Sequence, residues 1–322
     1  MTVDAPLAGA PWSVAIFTSR EDAGVLRATL QAVLAAVAPN ASDQPCTVDL
    51  LVDGNATTAD AIAAWEPAGA LAARATVRLW LLPWGDKACA WNRYVHELAP
   101  VDAVAFFVDG YVRPAPDALQ RLAAALRRTP RAWAATGVPT VGPSAAAQRA
   151  RLLADGGLHG NLYALSPDAM RLLRARDFRL PLGLYRNDSL IGAVACFAGD
   201  PAHQRWDPTR IAVVADATWT NDQLPTISVA RLRAYLKRRM RQAQGLLENA
   251  AVRRHLAVEQ RPPEQLPRTV EALVATADDE ATRGRGPIER LLVGAARRRL
   301  ATSAGHPRAT LPPRLLRVWN GS

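Results

Sequence analysis

Three apolar runs in the first third of this chain stop at polar residues. Val14–Glu21 reads VAIFTSRE, Leu50–Asn55 reads LLVDGN, and Ala103–Pro116 reads AVAFFVDGYVRPAP. Runs of this length between turn signals suit buried strands. Each would deliver a polar signature to a carboxyl end: Thr18-Ser19-Arg20-Glu21, Asp53-Gly54-Asn55 and Asp109-Gly110-Tyr111. In open α/β sheets that edge is where ligands bind. Carboxylates there accept hydrogen bonds from ligand N–H and O–H groups, or hold a metal beside a phosphate. One Asp after a strand is ordinarily a helix cap or turn residue. Three such ends on neighbouring strands argue for one site.

The elements that must position these groups alternate along the chain. Ser13–Thr18, Thr47–Val52, Thr76–Leu82, Asp102–Val108 and Arg131–Val138 read as strands. Asp22–Val37, Thr58–Ala73, Asp86–Leu98 and Pro116–Arg128 read as helices between them. Val25, Leu26, Leu30, Val33, Leu34 and Val37 recur at helical spacing in the first of these. The alternation predicts an α/β fold with a mostly parallel sheet and helices on both faces. Pro139–Gly157 reads as a loop or flap with a short helical piece. His159–Leu165 and Arg210–Ala215 follow as strands, Pro167–Ala175 and Asp188–Phe197 as helices. Thr226–Asn249 is a basic amphipathic helix, Ala275–Gly286 a polar linker and Pro287–Leu300 a last helix. The expected organisation is an N-terminal tail (1–11), a catalytic domain (12–250, with halves 12–138 and 139–250) and a basic, partly helical extension (251–322).

The chain has 322 residues and a net charge of +10. Residues 1–222 carry 20 Lys+Arg against 21 Asp+Glu, whereas 223–322 carry 19 against 8. The excess positive charge therefore lies in the last hundred residues, which points to an anionic partner. Only Lys87 and Lys237 are lysines; codon bias explains that preference for Arg but not its placement. Cys46, Cys89 and Cys196 are odd in number and scattered, so buried thiols in a reducing cytoplasm are expected rather than a disulfide framework. No run of 18 apolar residues predicts a membrane span, and MTVDAPLAGAPW has neither the basic start nor the apolar stretch of a signal peptide.

The usual signatures of rival chemistries are missing. There is no GxGxxG or GxxxxGK[ST] phosphate loop, no GxSxG and no HExxH. The order of motifs instead resembles the inverting family-2 glycosyltransferases of the GT-A fold, over about residues 12–245. Besides VAIFTSRE and LLVDGN, the resemblance lies in Gly85–Asn92 (GDKACAWN), in FFVDGY with Pro114–Leu119 after it, in Gly160-Asn161 and in Asn187-Asp188. It implies a GT-A-like mostly parallel sheet and transfer of a sugar from a nucleotide-diphosphate donor to a hydroxyl acceptor, a glycan or a lipid-linked one, in cell-envelope or exopolysaccharide synthesis. Donor binding would fall to Thr18, Glu21, Asp53, Asp86, Lys87, Asn92, Asp109, Gly160 and Asn161. Asp188 would be the general base that deprotonates the acceptor; as a residue at a helix start it equally suits an N-cap. A divalent metal, Mg²⁺ or Mn²⁺, would sit at Asp109. The sequence departs from the family where Tyr111 replaces a second acid and where a late metal-binding His is lacking; His203 lies too early, and Asp216 or Asp222 are the alternatives. Cationic side chains can do part of a metal's work on a departing diphosphate, and Lys237, Arg238 and Arg241 are the sequence's obvious source, unless that run is simply a solvated helix face.

Trp206 and Trp219 fall on the acceptor side and can either stack on a sugar or fill the core. The basic C-terminal segment fits peripheral contact with an anionic membrane, or ordinary packing on the domain. Two other readings compete with the transferase. A catalytically degenerate GT-A-fold scaffold is suggested by Tyr111. A sugar-nucleotide nucleotidyltransferase lacks the glycine-rich loop it would need after the first strand. No nucleic-acid module is recognisable.

Overall fold

The computed structural model describes residues 10–38, 46–66, 75–142, 144–221, 229–277, 279–303, 305 and 307–320, without the side chains of 229–238, 279 and 307–308. In chain order its elements are β1 (Trp12–Thr18), α1 (Ala23–Val37), β2 (Cys46–Asp53), α2 (Ala56–Ala63), β3 (Ala75–Leu82), α3 (Lys87–Arg93), β4 (Val104–Asp109), β5 (Val112–Pro114), α4 (Ala118–Arg128), β6 (Ala134–Pro139), α5 (Ala145–Asp155) and β7 (Leu162–Leu165). There follow α6 (Pro167–Ala175), α7 (Asn187–Cys196), β8 (Ile211–Asn221), α8 (Val229–Arg253), α9 (Val270–Ala275), α10 (Pro287–Ala301) and β9 (Arg314–Asn320).

The strands form one sheet in the order β5-β8-β6-β7-β4-β1-β2-β3-β9. β1, β2, β3, β4, β6 and β8 run one way; β5, β7 and β9 run against them. The sheet is therefore mixed but mostly parallel, as the alternation predicts. Every residue of β1 is buried, because helices cover both faces; that is why its sequence is a continuous apolar run rather than an alternating one. The strand's two faces feed two cores. Val14 and Ile16 point into one with α1 and α4, and Ala15 and Phe17 into the other with α3, α6 and α7.

Register brings the polar strand ends together. Phe17 of β1 lies beside Asp109 of β4, Thr18 beside Val52, and Asp53 of β2 beside Leu82 of β3. β7 runs antiparallel to β4 with Leu162 opposite Val108, so the residues just before β7 reach the same edge. The Asp109 N–H donates to the Asn161 carbonyl at 3.1 Å.

Several expectations are redrawn. The flap at 139–157 contains a full helix, α5. The Thr58–Ala73 helix stops at Ala63, and 67–74 lie outside the described residues. The Ala275–Gly286 linker is not a loose spacer: a 3-10 turn spans Asp279–Thr282, and Ala277 and Ala281 are buried in the core. The end of the chain supplies a strand. β9 pairs antiparallel with β3 and buries Trp319. α10 packs on α8 through Val293, Ala296 and Leu300, while Ile288 and Leu291 stay about 70% exposed. The three cysteines are free and buried. Among the described residues no helix is long and apolar enough to cross a membrane.

Candidate active site

The carboxyl ends of β1, β2 and β4 open into a cleft of about 210 Å³ lined by Thr18, Arg20, Glu21, Asp53, Lys87, Asp109 and Tyr111. The turn after β1 is held by its own acid. One Glu21 oxygen, Oε2, accepts from the Thr18 hydroxyl at 2.7 Å and from the Ser19 and Arg20 N–H groups at 3.0 and 3.1 Å. Burial acts to raise the Glu21 pKa, but these hydrogen bonds together outweigh it and the carboxylate is held below its usual value. That leaves Oε1 for a ligand.

Asp53 is placed differently. Its Oδ1 accepts from the Gly85 N–H at 2.7 Å and the Trp84 N–H at 3.2 Å, while Oδ2 is buried with no partner. Burial pushes its pKa up to about 6, and the backbone donors only partly oppose this. A buried carboxylate oxygen without a donor is costly; on a cleft wall it is what a ligand's N–H or hydroxyl would satisfy.

At the floor, the Lys87 ammonium, from the first turn of α3, is salt-bridged to Asp109 Oδ1 and lies 6.0 Å from the centre of the Phe17 ring. The Tyr111 hydroxyl lies 3.1 Å from Asp109 Oδ2 and 3.2 Å from Asn161 Oδ1, and its single proton is shared between these two acceptors. Burial first, and the Asp109 charge second, raise the Tyr111 pKa, so it stays a neutral donor. Gly110 is required by close approach: a Cβ there would stand 2.6 Å from Thr18 Cβ, because the Gly110 N–H reaches the Phe17 carbonyl at 2.7 Å.

The hydrogen bonds run on to a second cavity of about 450 Å³, lined among others by His159, Arg186, Asp188, Ser189 and Trp206. The Asn161 N–H donates to His159 Nδ1 at 3.3 Å. The Gly160 N–H donates to Asp188 Oδ2 at 3.2 Å, and Asp188 Oδ1 accepts from the Ser189 N–H at 2.9 Å. A Cβ on Gly160 would come within 3.2 Å of that carboxylate. Asp188 sits in the first turn of α7, where an acid is favoured, but Arg186 occupies the cap position. Burial lowers the His159 pKa despite the nearby Asp188 and Asp109 charges; an imidazole accepting at Nδ1 carries its proton on Nε2 when neutral.

Thr18, Glu21, Asp53, Lys87 and Asp109 thus share one cleft, Asp188 lines the second cavity, and Asn161 and Gly160 link the two by hydrogen bonds. Asp86 and Asn92 do none of these. Asp86 caps α3 through Ala88 and ties down the Gly183 N–H at 2.8 Å. Asn92 is buried and clamps the Leu180 backbone, donating at 2.9 Å and accepting at 2.8 Å. Both side chains are structural ties rather than cleft residues. Asp216 is exposed and lies 3.5 Å from Arg121, and His203 faces Asp200; neither reaches Asp109. Asp222 and the side chains of Lys237 and Arg238 lie outside what the structure describes. Arg241 neighbours Arg20. Trp219 is buried in the core, whereas Trp206 lines the second cavity and is 55% exposed.

A divalent ion at Asp109 is a poor fit to these residues. Both Asp109 oxygens are engaged, one by a cation, and Tyr111 stands where a second carboxylate would be needed. Among the described residues no group of three His, Cys, Asp or Glu side chains is placed to hold a metal.

Two further residues were not flagged by the sequence. His159 stands directly before Gly160-Asn161, which was the available signal. Glu248 is an acid on the apolar side of α8. It is fully buried and accepts from the Tyr185 and Arg186 N–H groups at 2.9 Å each and from Gln244 at 2.8 Å. It fixes the segment that leads into Asp188.

No protein-family model matches the chain, and no curated protein sequence does. Solved structures overlap it partially. A mycobacterial protein has 17% identity and a TM-score of 0.45 over 76% of this chain and 75% of its own. Glucosyl-3-phosphoglycerate synthase from Mycobacterium tuberculosis, in complex with Mn²⁺, UDP-glucose and phosphoglyceric acid, has 16% identity and a TM-score of 0.43 over 76% and 80%. The same enzyme in complex with phosphoglyceric acid alone has 15% identity and a TM-score of 0.39 over 84% and 81%.

Proposed function

We propose that this protein transfers a sugar from a nucleotide-diphosphate donor to a hydroxyl acceptor with inversion. The observation that carries this reading is the line of polar contacts from the cleft at Asp109, through Tyr111, Asn161 and its chain neighbour Gly160, to Asp188 in the second cavity. A donor in the first space and an acceptor in the second would meet at that line. Asp53 Oδ2 and Glu21 Oε1 accept hydrogen bonds from the nucleoside. Asp188, aimed by two backbone N–H groups, has lone pairs left for an acceptor hydroxyl. As that oxygen attacks the anomeric carbon, its proton passes to Asp188; the bond to the diphosphate breaks on the opposite face, and the leaving oxygen keeps the electron pair. Trp206 offers the acceptor an aromatic wall.

A thermal-shift panel of nucleotide sugars, followed by assay of nucleotide release, tests this. Asp188→Asn is expected to lower kcat by about 10²- to 10⁴-fold while leaving donor binding intact. Turnover in the variant equal to wild type removes Asp188 as base, and a wild type that binds donors without turning any over returns the scaffold reading. For the C-terminal segment we propose a peripheral contact with anionic membrane through the exposed Ile288 and Leu291. Equal sedimentation of the full chain and its Ile288→Ser/Leu291→Ser variant with anionic vesicles would remove it.

A further inference from the structure

We propose that Lys87, with Arg20 beside it, supplies the positive charge that receives the departing nucleoside diphosphate, and that this cleft needs no divalent metal to do so. The inference rests on the transferase reading above and concerns how the same site handles its leaving group.

The charge count comes first. Two acids and one divalent cation sum to zero. One acid, a neutral tyrosine and one lysine sum to zero as well. In this protein Tyr111, a phenol that is neutral at ordinary pH, stands where the second acid would be, and Asp109 is balanced by the Lys87 ammonium. Replacing Lys87 by Mn²⁺ would leave a surplus positive charge and would require breaking the Lys87–Asp109 pair.

Geometry points the same way. Lys87 is held from two sides, by Asp109 Oδ1 and by the face of Phe17, yet its side chain is 41% exposed on the cleft. An ammonium has three donors; Asp109 takes one and the cleft is open to the others. Arg20 lines the same cleft. It leaves the turn that Glu21 holds rigid through the Ser19 and Arg20 N–H groups, so its guanidinium starts from a fixed backbone. Behind it stand Arg241 of α8 and Arg299 of α10. Burial first, and then the like charge of Arg20, push Arg241 below the ordinary arginine value. Among the described residues Arg20, Arg241 and Arg299 make no ion pair. Although Glu21, Asp53 and Asp109 carry acid groups on the same cleft, guanidiniums that make no ion pair of their own keep their donors for an anion. Fixed cations aimed at the leaving oxygens stabilise charge where it develops.

The test is titration calorimetry of the full chain with ADP, GDP and UDP, each in EDTA and in excess Mn²⁺. The expected result is that the preferred nucleotide binds in EDTA within about threefold of its affinity in Mn²⁺. Lys87→Gln and Arg20→Gln, both at exposed side chains and checked for unchanged melting temperature, are each expected to weaken binding in EDTA by about 10- to 100-fold. Wild-type binding that appears only with Mn²⁺ overturns the inference and leaves the transferase reading standing, as does Lys87→Gln binding in EDTA like wild type. No nucleotide binding under either condition fails the transferase reading itself.

Discussion

Asp53 is the residue whose state depends most on a ligand. Its folded pKa, about 6, lies above its ordinary value because of burial. Such a group contributes stability that is full at acid pH and is lost as pH rises through about 6. In the ligand-free protein the ionised form therefore costs on the order of 2–3 kcal/mol at pH 8. Asp53→Asn is expected to raise the ligand-free melting temperature at pH 8 but not at pH 4, read by thermal denaturation at both. The same variant should bind nucleoside diphosphates about tenfold more weakly, since a neutral amide is a poorer acceptor. A ligand donor to Oδ2 favours the carboxylate, so calorimetry in buffers of different ionisation enthalpy should show proton release on binding near pH 6. Asp53 and Asp109 were legible in the sequence because each ends a buried strand. Asp86 and Asn92 were misread because their partners, Gly183 and Leu180, lie far along the chain, and no local pattern separates a helix cap or amide clamp from a ligand contact. His159 and Glu248 were missed for a related reason: their importance comes from what they touch, not from the residues around them.

At the scale of elements, two junctions set the site. The β1–β4 junction depends on Gly110. Gly110→Ala places a methyl group 2.6 Å from Thr18 Cβ and 3.0 Å from the Phe17 carbonyl oxygen, atoms fixed to β1 that cannot yield cheaply. It should cost about 1–3 kcal/mol and shift the Thr18–Glu21 turn, so denaturant melts and nucleotide binding should fall together. The α7–α8 junction depends on Glu248. Glu248→Ala strands two backbone N–H groups at Tyr185 and Arg186, at about 1–3 kcal/mol each. Because this segment aims Asp188 and not the donor cleft, kcat should fall while nucleotide affinity holds. The alternation of strands and helices was readable because runs buried on both faces are long and apolar. β5 was not, being three residues long. β9 was not, because Arg314 and Arg317 leave only the short apolar pairs Leu315-Leu316 and Val318-Trp319, and only its pairing with β3 makes it a strand.

At the scale of the whole molecule, the basic C-terminal segment is structural as well as charged. α9 and α10 close a core against α8, and the stretch leading into β9 touches the donor side: Trp84 Nε1 donates to the Leu311 carbonyl at 2.9 Å. Deleting residues 311–320 should bare the β3 edge, with its unpaired N–H and C=O groups. The expected outcome is a lower melting temperature and concentration-dependent aggregation by light scattering, with activity falling alongside. β9 has a further consequence in biosynthesis. β3 leaves the ribosome early, but the strand that covers its edge is made more than two hundred residues later. At about 5–20 residues/s, the nascent chain carries an open sheet edge for on the order of 10–50 s. Production of soluble protein should therefore respond to translation speed and to chaperone supply, more than the stability of the finished molecule would suggest.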